Sequence, residues 1–430
     1  SRLFGSFCSV GSSLLQSHSS DTRKSSLALV ANMMFALVVL AVSNLNLVAS
    51  QNVAEDLPSF ASFIAKHSRT YTQGTHEYEA REALFEKRVA EVRRHNSQPN
   101  QPWTASVNHL ADRTEEELSQ LRGWKGFASA GRSVGRVGAH AHGSRSRLFL
   151  GQSEQAVVPD NHTWESLEAI KADVDQGACG SCWAIATMTM MNAADEISGK
   201  KRKFSVQDLV NCVPNPHSCG GTGGCQGATV ELAMNYIASK GLRTQDESPY
   251  SARDGQCQSS LLESSEASKS AYDFDLEAMI AIGQHDTTAG TAGKTMGLNF
   301  WTRLPENEYL PLLTHLVQHG PLAVSVAASG WNAYGDGIFN ACSVDAVIDH
   351  AVVLFGYGVD KERGMKFWDI KNSWGKYWGR DGNIRLLRED NVKCGIDRQP
   401  EVGTGCDGGP SEVKVCGMCG ILYDVVSVSM

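Results

Sequence analysis

The chain has 430 residues, of which 42% are hydrophobic and 20% charged, so it holds enough apolar residues for a sizeable core. The formal net charge of −8, from 39 Lys and Arg against 47 Asp and Glu, excludes the basic footprint of a nucleic-acid-binding protein. Length alone predicts about three domains. The 12 cysteines are too dilute for a small disulfide scaffold and numerous for a reduced cytosolic chain.

The first apolar run, residues 33–42, is too short to span a membrane, which takes about 20 residues. It is typical of a secretory signal peptide, and residues 48–50 (Val-Ala-Ser) supply small side chains for cleavage. Met33 or Met34 is the expected start, so residues 1–50 are predicted to be a signal peptide preceded by a non-native leader. A buried helix is the alternative interpretation. We find no second long apolar run that would predict a membrane anchor.

Two further segments precede the main body of the chain. Residues 77–96 have a helical pattern, with Leu84, Phe85, Val89 and Val92 recurring on one face among charged pairs. Residues 129–153 are rich in Gly, Ser, Arg and His with almost no apolar pattern, which indicates a flexible linker open to proteolysis.

A candidate nucleophile follows in residues 176–183, Gln-Gly-Ala-Cys-Gly-Ser-Cys-Trp. Small and apolar residues at helical spacing continue to Gly199, so Cys182 stands where a loop becomes a helix. The free N–H groups and dipole of a helix N-terminus stabilise a thiolate, and a nearby His makes it a nucleophile. Without such a partner, a structural cysteine is the usual interpretation.

The partner residues lie far along the chain. His350 begins a β-branched and aromatic run, and Asn372 follows a second run after a turn. Two strands joined by a loop can place His350 and Asn372 side by side. The order Cys, His, Asn with these separations matches the spacing of the papain group.

These motifs resemble those of papain-family, cathepsin L-like cysteine proteases over about residues 57–400. The nucleophile segment, Asp349-His350-Ala351 and the Asn372-Ser-Trp-Gly sequence carry the resemblance, with Asp349 where many members have Asn. Residues 77–96 fit the prosegment helix of the family, except at Arg88.

The resemblance implies a two-lobed α+β fold. A helical left lobe carries the nucleophile, a β-barrel-like right lobe carries the His and Asn, and a helical inhibitory prosegment precedes both. The expected division is 1–50 signal peptide and leader, 51–125 prosegment, 126–155 activation linker, and 156–430 mature peptidase with a cysteine-containing C-terminal extension.

The resemblance also implies residue roles. Cys182 would attack the peptide carbonyl, His350 would transfer the proton, Asn372 would orient the imidazole, and Gln176 with the Cys182 backbone N–H would stabilise the oxyanion. Ser325, Ile348, Ala351 and Gln399 would line the pocket for the side chain two residues before the cut, where Ile348 suggests a hydrophobic or aromatic preference. The full set of expected substrate-binding residues is Gly180, Gly227, Ala228, Ser325, Ile348, Asp349, Ala351, Trp374 and Gln399.

Ten cysteines remain once Cys8 of the leader and Cys182 are set aside. The family implies the pairs Cys179–Cys225, Cys212–Cys257 and Cys342–Cys394. The other four have three possible connectivities, and half a zinc site at Cys416 and Cys419 is a less favoured alternative; the four are Cys219, Cys406, Cys416 and Cys419.

The remaining expectations concern context. Asn161 begins a glycosylation sequon, and the expansion between Cys257 and Pro321 is interpreted as a neutral loop insertion with a short helix at 275–282. No metal or organic cofactor is expected. The expected partners are protein or peptide substrates, the prosegment and cystatin-like inhibitors, for a monomer in a lysosome-like or food vacuole or outside the cell. The alternatives are a catalytically silent binding or storage protein, and a cysteine-rich interaction module in the tail.

Overall fold

The computed structural model describes residues 57–123, 158–258, 287–288 and 296–430, with residues 287–288 described by their backbone alone. The chain divides into two compact units, Ser1–Pro58 and Ser59–Met430. The first unit lies almost entirely outside the described residues, as do the linker predicted at 126–155 and the helix predicted at 275–282. All the elements named below belong to the second unit.

Among the described elements, most helices come before residue 241 and most strands come after residue 321. The helices are α1 (Phe60–Lys66), α2 (His76–Asn96), α3 (Glu115–Gln120), α4 (Glu168–Lys171), α5 (Cys182–Ile197), α6 (Val206–Cys212), α7 (Val230–Lys240) and α8 (Tyr309–His319). The strands are β1 (Trp103–Ala105), β2 (His162–Thr163), β3 (Thr287–Thr288), β4 (Phe300–Arg303), β5 (Leu322–Val326), β6 (Tyr334–Phe339), β7 (His350–Asp360), β8 (Met365–Lys371), β9 (Asn383–Leu387), β10 (Cys394–Asp397), β11 (Val413–Cys416) and β12 (Asp424–Ser429).

The predicted prosegment helix is α2. Thr75 caps it by accepting the backbone N–H of Tyr78, which satisfies one of the free donors of the first turn. Phe85 and the two valines of the predicted face are buried, while Leu84 is half-buried. Phe85 packs on the ring of Phe63 in α1, with ring centroids 4.8 Å apart. The two helices therefore share a small apolar core of their own.

The helical lobe is built around α5. This helix is apolar on nearly all sides, so it is buried along most of its length and packs on α4, α7 and β7. Its first residue is Cys182, and the glycine-containing loop before it ends at Ser181. The packing of α5 on β7 brings the start of the helix to the start of the strand.

The second lobe is a sheet of ten strands in the order β1-β6-β9-β8-β7-β5-β12-β4-β3, with β2 paired to β7. Its pairs are antiparallel except for the parallel pair β6–β9. β1 of the prosegment adds a strand at one edge by pairing with β6. The mixed composition confirms the predicted α+β class, and the helical prosegment docks on the sheet lobe through β1.

The C-terminal segment is part of the main sheet. β12 lies between β5 and β4 and pairs antiparallel with both, with Asp424 opposite Ser325. The described end of the expansion between Cys257 and Pro321 also supplies strands β3 and β4 and buries Leu298 and Trp301 in the core. Neither segment is the loop or appended extension that the sequence suggested.

Five disulfides are present among the described residues, and two were predicted: Cys179–Cys225 and Cys212–Cys257. The predicted pair Cys342–Cys394 is wrong. Cys394 stands opposite Cys416 in the β10–β11 hairpin and bonds to it.

Cys342 instead bonds to Cys419, whose carbonyl accepts the backbone N–H of Ala327 just after β5. The remaining pair is Cys219–Cys406. Because both Cys416 and Cys419 are in disulfides, the zinc alternative is also wrong.

Candidate active site

Cys182 is the first residue of α5 and the one free cysteine among the described residues. No side chain caps this helix, so its first N–H groups stay available. The backbone N–H groups of Trp183 and Ala351 hydrogen-bond to the Cys182 sulphur and favour the thiolate. Ala351 follows His350 in β7, so this contact places the nucleophile beside the predicted general acid.

His350 and Asn372 meet because β7 and β8 are antiparallel neighbours. The register pairs Val353 with Lys371, which brings the start of one strand next to the end of the other. His350 Nε2 lies 2.8 Å from Asn372 Oδ1, and both side chains are buried. His350 Nδ1 has no hydrogen-bond partner in the described part of the chain. The imidazole therefore keeps one nitrogen free for a proton transfer.

Aromatic rings cover this pair. The ring centroid of Trp374 lies 5.0 Å from that of His350, and Trp374 is only 1% exposed. Trp331 approaches His350 edge-on at 6.3 Å, and its carbonyl accepts the indole N–H of Trp378. Excluding water strengthens the His350–Asn372 hydrogen bond.

The burial of the site favours uncharged side chains. It raises the pKa of the Cys182 thiol to about 11 and lowers the pKa of His350 to about 4. Both shifts oppose a thiolate–imidazolium pair in this covered state. Burial in the covered site thus works against the charged pair, while the backbone N–H groups of Trp183 and Ala351 work for the thiolate.

The predicted oxyanion donor is occupied by the prosegment. Gln176 Nε2 donates to the carbonyl of Leu121 and to that of Cys179, each at 2.8 Å. Its Oε1 accepts the hydroxyl of Ser373 at 2.6 Å, which fixes the direction of the amide. The carbonyl of Leu121 thus accepts a hydrogen bond from the Gln176 amide, which is the donor that a developing oxyanion would need.

The prosegment backbone also lies against two glycines of the cleft. A Cβ on Gly180 would lie 2.8 Å from the carbonyl oxygen of Gln120, so no larger residue fits there beside the prosegment. A Cβ on Gly227, whose φ is +99°, would lie 3.1 Å from the carbonyl oxygen of Gly123 in the prosegment. The predicted backbone-binding residues Gly180 and Gly227 thus contact the chain that occupies the cleft.

A small cavity opens beside Cys182. Four of the predicted substrate-binding residues line it: Gly227, Ala228, Ser325 and Ala351. Asp349 is a fifth predicted residue in the lining of the cavity. Its Oδ2 accepts a hydrogen bond from Nε of Arg122 in the prosegment at 2.8 Å.

Ile348 and Gln399 do not line this cavity. Ile348 is fully buried and packs on Gly420, and Gln399 is exposed after β10. Gly403 and Thr404 stand in the wall instead. No local pattern predicted these two residues, because their place depends on the bridge Cys219–Cys406 that holds the loop.

Two family models match the chain. "Papain family cysteine protease" matches residues 158–404, and "Cathepsin propeptide inhibitor domain (I29)" matches residues 60–118. The chain belongs to the papain family of cysteine proteases. It is a cysteine-type endopeptidase preceded by its own inhibitory prosegment, and so a zymogen.

Curated relatives of the family agree. The chain is 28% identical to the thiol protease SEN102 of Hemerocallis over 84% of its length and 92% of the relative's. It is 29% identical to procathepsin L of Rattus norvegicus over 77% and 86%. With Cysteine protease 1 of Oryza sativa it shares 29% identity over 80% of this chain and 64% of that protein.

Solved structures show the same fold. Digestive procathepsin L 3 of Tenebrio molitor superposes with a TM-score of 0.58 at 22% identity, over 86% of this chain and 97% of that one. Recombinant stem bromelain precursor gives 0.58 at 23% identity, over 86% and 97%. The papain-like two-lobed fold with a prosegment is therefore the fold of this chain.

Two further predictions have a structural context. Asn161 is exposed beside β2, and its Oδ1 accepts the backbone N–H of Val359 at 2.8 Å, while its glycosylation stays a prediction. Within the described ranges, no helix is long and apolar enough to cross a membrane.

Proposed function

We propose that Cys182, His350, Asn372 and Gln176 hydrolyse peptide bonds through a thioester acyl-enzyme once the prosegment leaves the cleft. The observation that carries this proposal is the buried His350–Asn372 hydrogen bond beside the one free cysteine at a helix N-terminus. Each of the four residue types suits one step of that reaction.

The first half-reaction makes the thioester. The Cys182 thiolate adds to the carbonyl carbon, and the oxyanion accepts from the Gln176 amide and the Cys182 backbone N–H. His350, protonated at Nδ1, gives its proton to the amine as the C–N bond breaks. Asn372 holds Nε2–H through Oδ1, which fixes the ring orientation without moving a proton.

The second half-reaction releases the acid. Water loses a proton to His350 Nδ1 and attacks the thioester carbonyl, and the Cys182 thiolate leaves. Removing the prosegment opens the cleft to solvent, which lowers the desolvation that disfavours the thiolate–imidazolium pair. Activation is thus also a change of protonation state.

The experiment is acid activation followed by labelling with an epoxide or vinyl-sulfone inactivator. The wild-type enzyme should take up one equivalent, and mass spectrometry of the digest should find it on the peptide that contains Cys182. The Cys182→Ala variant should not be labelled. Equal labelling of this variant would overturn the assignment of the nucleophile. The Cys182→Ser variant is the matched control, because it keeps the size and polarity of the side chain.

The setting is proposed on chemical grounds. Five disulfides are stable in an oxidising compartment, which supports a secretory route to an acidic vacuole or to the outside of the cell. A monomer open to cystatin-like inhibitors is the state we propose for the mature enzyme. Size-exclusion chromatography with light scattering tests the monomer, and titration with a cystatin tests the inhibitor.

A further inference from the structure

Two histidines stand one turn apart on helix α8. His315 and His319 lie on successive turns near the end of the helix, and their ring centroids are 4.8 Å apart. Residues four positions apart share one face of a helix, and this is the spacing at which paired histidines hold a metal ion. The proposed reaction uses neither ring, and neither lines the cavity beside Cys182.

The separation of the two rings fits a shared metal ion. An ion about 2.0–2.1 Å from one nitrogen of each ring, at an N–metal–N angle of about 90–110°, requires ring centroids about 4.5–5.2 Å apart. The observed separation of 4.8 Å falls within that range. Two imidazolium ions at this distance would repel each other, so the arrangement favours neutral rings, which are the form that binds metal.

A buried serine of the neighbouring strand orients the first ring. Ser427 in β12 is 3% exposed, and its Oγ lies 3.3 Å from His315 Nδ1. A hydrogen bond at Nδ1 leaves Nε2 for an ion, and histidines that bind metal typically make such a bond with their second nitrogen. His315 is half-buried and His319 is exposed, so one ligand is held in place and the other is open to solvent.

The backbone that carries the pair is fixed from two sides. Leu312 and Leu316 are buried and anchor the helix to the core. The carbonyl of Leu316 accepts the indole N–H of Trp164 at 2.7 Å, and this carbonyl is one of those that the last turn of a helix leaves free. Because the turn is held, less conformational entropy is lost when both rings bind one ion.

We propose that His315 and His319 bind one divalent transition-metal ion, zinc or copper(II), on the face of α8 beside β12. Imidazole suits both ions, and copper(II) should bind the more tightly. Among the described residues no third His, Cys, Asp or Glu completes the set, so water would fill the other coordination positions. With two protein ligands in place of four, zinc should half-saturate the site on the order of 1–100 µM. The ion takes no part in peptide hydrolysis.

The test uses the full-length chain with Cys182→Ala, which cannot process itself and lacks the thiol that would compete for metal. Isothermal titration with zinc chloride at pH 7 should find one more bound ion in this chain than after His315→Asn or His319→Asn. The control is His217→Asn, which removes a half-buried histidine elsewhere and should keep the number of ions. Ser427→Ala should keep the number too but weaken binding by about tenfold or more.

Chemical modification shows whether the two rings act together. Zinc should slow the reaction of both rings with diethyl pyrocarbonate at least tenfold, as mass spectrometry of the digest would measure, and replacing one ring should remove the protection of the other. Equal numbers of bound ions with and without the pair would overturn the inference. So would protection of His319 that persists in His315→Asn, because that ring would then bind metal alone. If His315→Asn fails to fold, as thermal melting would show, the exposed replacement His319→Asn decides.

Discussion

Replacing Arg122 by Gln in the full-length chain should weaken the hold of the prosegment on the cleft. The substitution removes the positive charge but keeps a polar side chain that can still donate a hydrogen bond. Asp349 then lies in the wall without its ionic partner. Asp349 is the partner lost on the enzyme, and a longer pair with Glu115 is lost within the prosegment.

The magnitude follows from the burial of both partners. Breaking a buried ion pair by removing one side costs about 3–5 kcal/mol, because the other charge stays desolvated. Burial raises the pKa of Asp349 to about 6, so protonation offsets part of this cost, and the lower end applies near neutral pH. About 3 kcal/mol corresponds to a prosegment held roughly 100-fold less tightly.

The assay follows latency at pH 7 in two ways: the rate of inactivator labelling of Cys182 in the intact zymogen, and the half-time of self-processing. Arg122→Gln should raise the labelling rate by roughly the 100-fold derived above. The control is Arg113→Gln, because Arg113 forms a half-exposed pair with Glu117 that is worth about 0–1 kcal/mol.

A double-mutant cycle decides whether the pair is the cause. In an Asp349→Asn background, Arg122→Gln should raise the labelling rate of the intact zymogen by a smaller factor than it does in the wild type. The reason is that the partner charge is already gone. An Arg122→Gln zymogen as latent as the wild type would refute the reasoning, because the prosegment would then be held by its backbone alone.

Three further outcomes follow from the site and the fold. Gln176→Ala should lower kcat by about 10²–10³-fold with little change in KM, as measured on a fluorogenic peptide, because it removes one oxyanion donor. As pH falls through about 6, protonation of Asp349 removes its attraction for Arg122, so the half-time of activation should shorten between pH 7 and 5, and less so in Arg122→Gln. Removing residues 401–430 should abolish folding, seen as loss of the cooperative thermal transition, because β12 lies inside the sheet. A soluble, active truncated enzyme would contradict the strand order.

The positions of the candidate catalytic residues could be predicted because each sits in a short local pattern. The loop-to-helix change locates Cys182, and the β-branched run after His350 locates a strand. Antiparallel pairing of that strand with the next one then brings Asn372 to His350 without further information. Local sequence and one pairing rule are enough for this part of the site.

The cavity wall could be predicted only in part, because it is assembled from distant segments. Ser325 and Ala351 sit opposite each other on neighbouring strands, and both line the cavity as predicted, while their binding of substrate stays a prediction. Arg122 belongs to a different segment, and nothing local to it signals that it ends in the cleft. Gln399 was assigned from a single Cys-Gly pair, and the hairpin after it moves it to the surface.

That misassignment also explains why Asp424 was missed behind the cavity wall. The chain contains five Cys-Gly pairs, and the pair at Cys419 is the one closely followed by strand β12. Pairing Cys342 with Cys419 places β12 beside β5, which puts Asp424 opposite Ser325. Side chains directly opposite on antiparallel strands interact, so the choice of cysteine decides which residue stands behind the cavity wall. With Cys394 the residue is Gln399, which is exposed, and with Cys419 it is Asp424, which accepts the Ser325 hydroxyl behind the cavity wall.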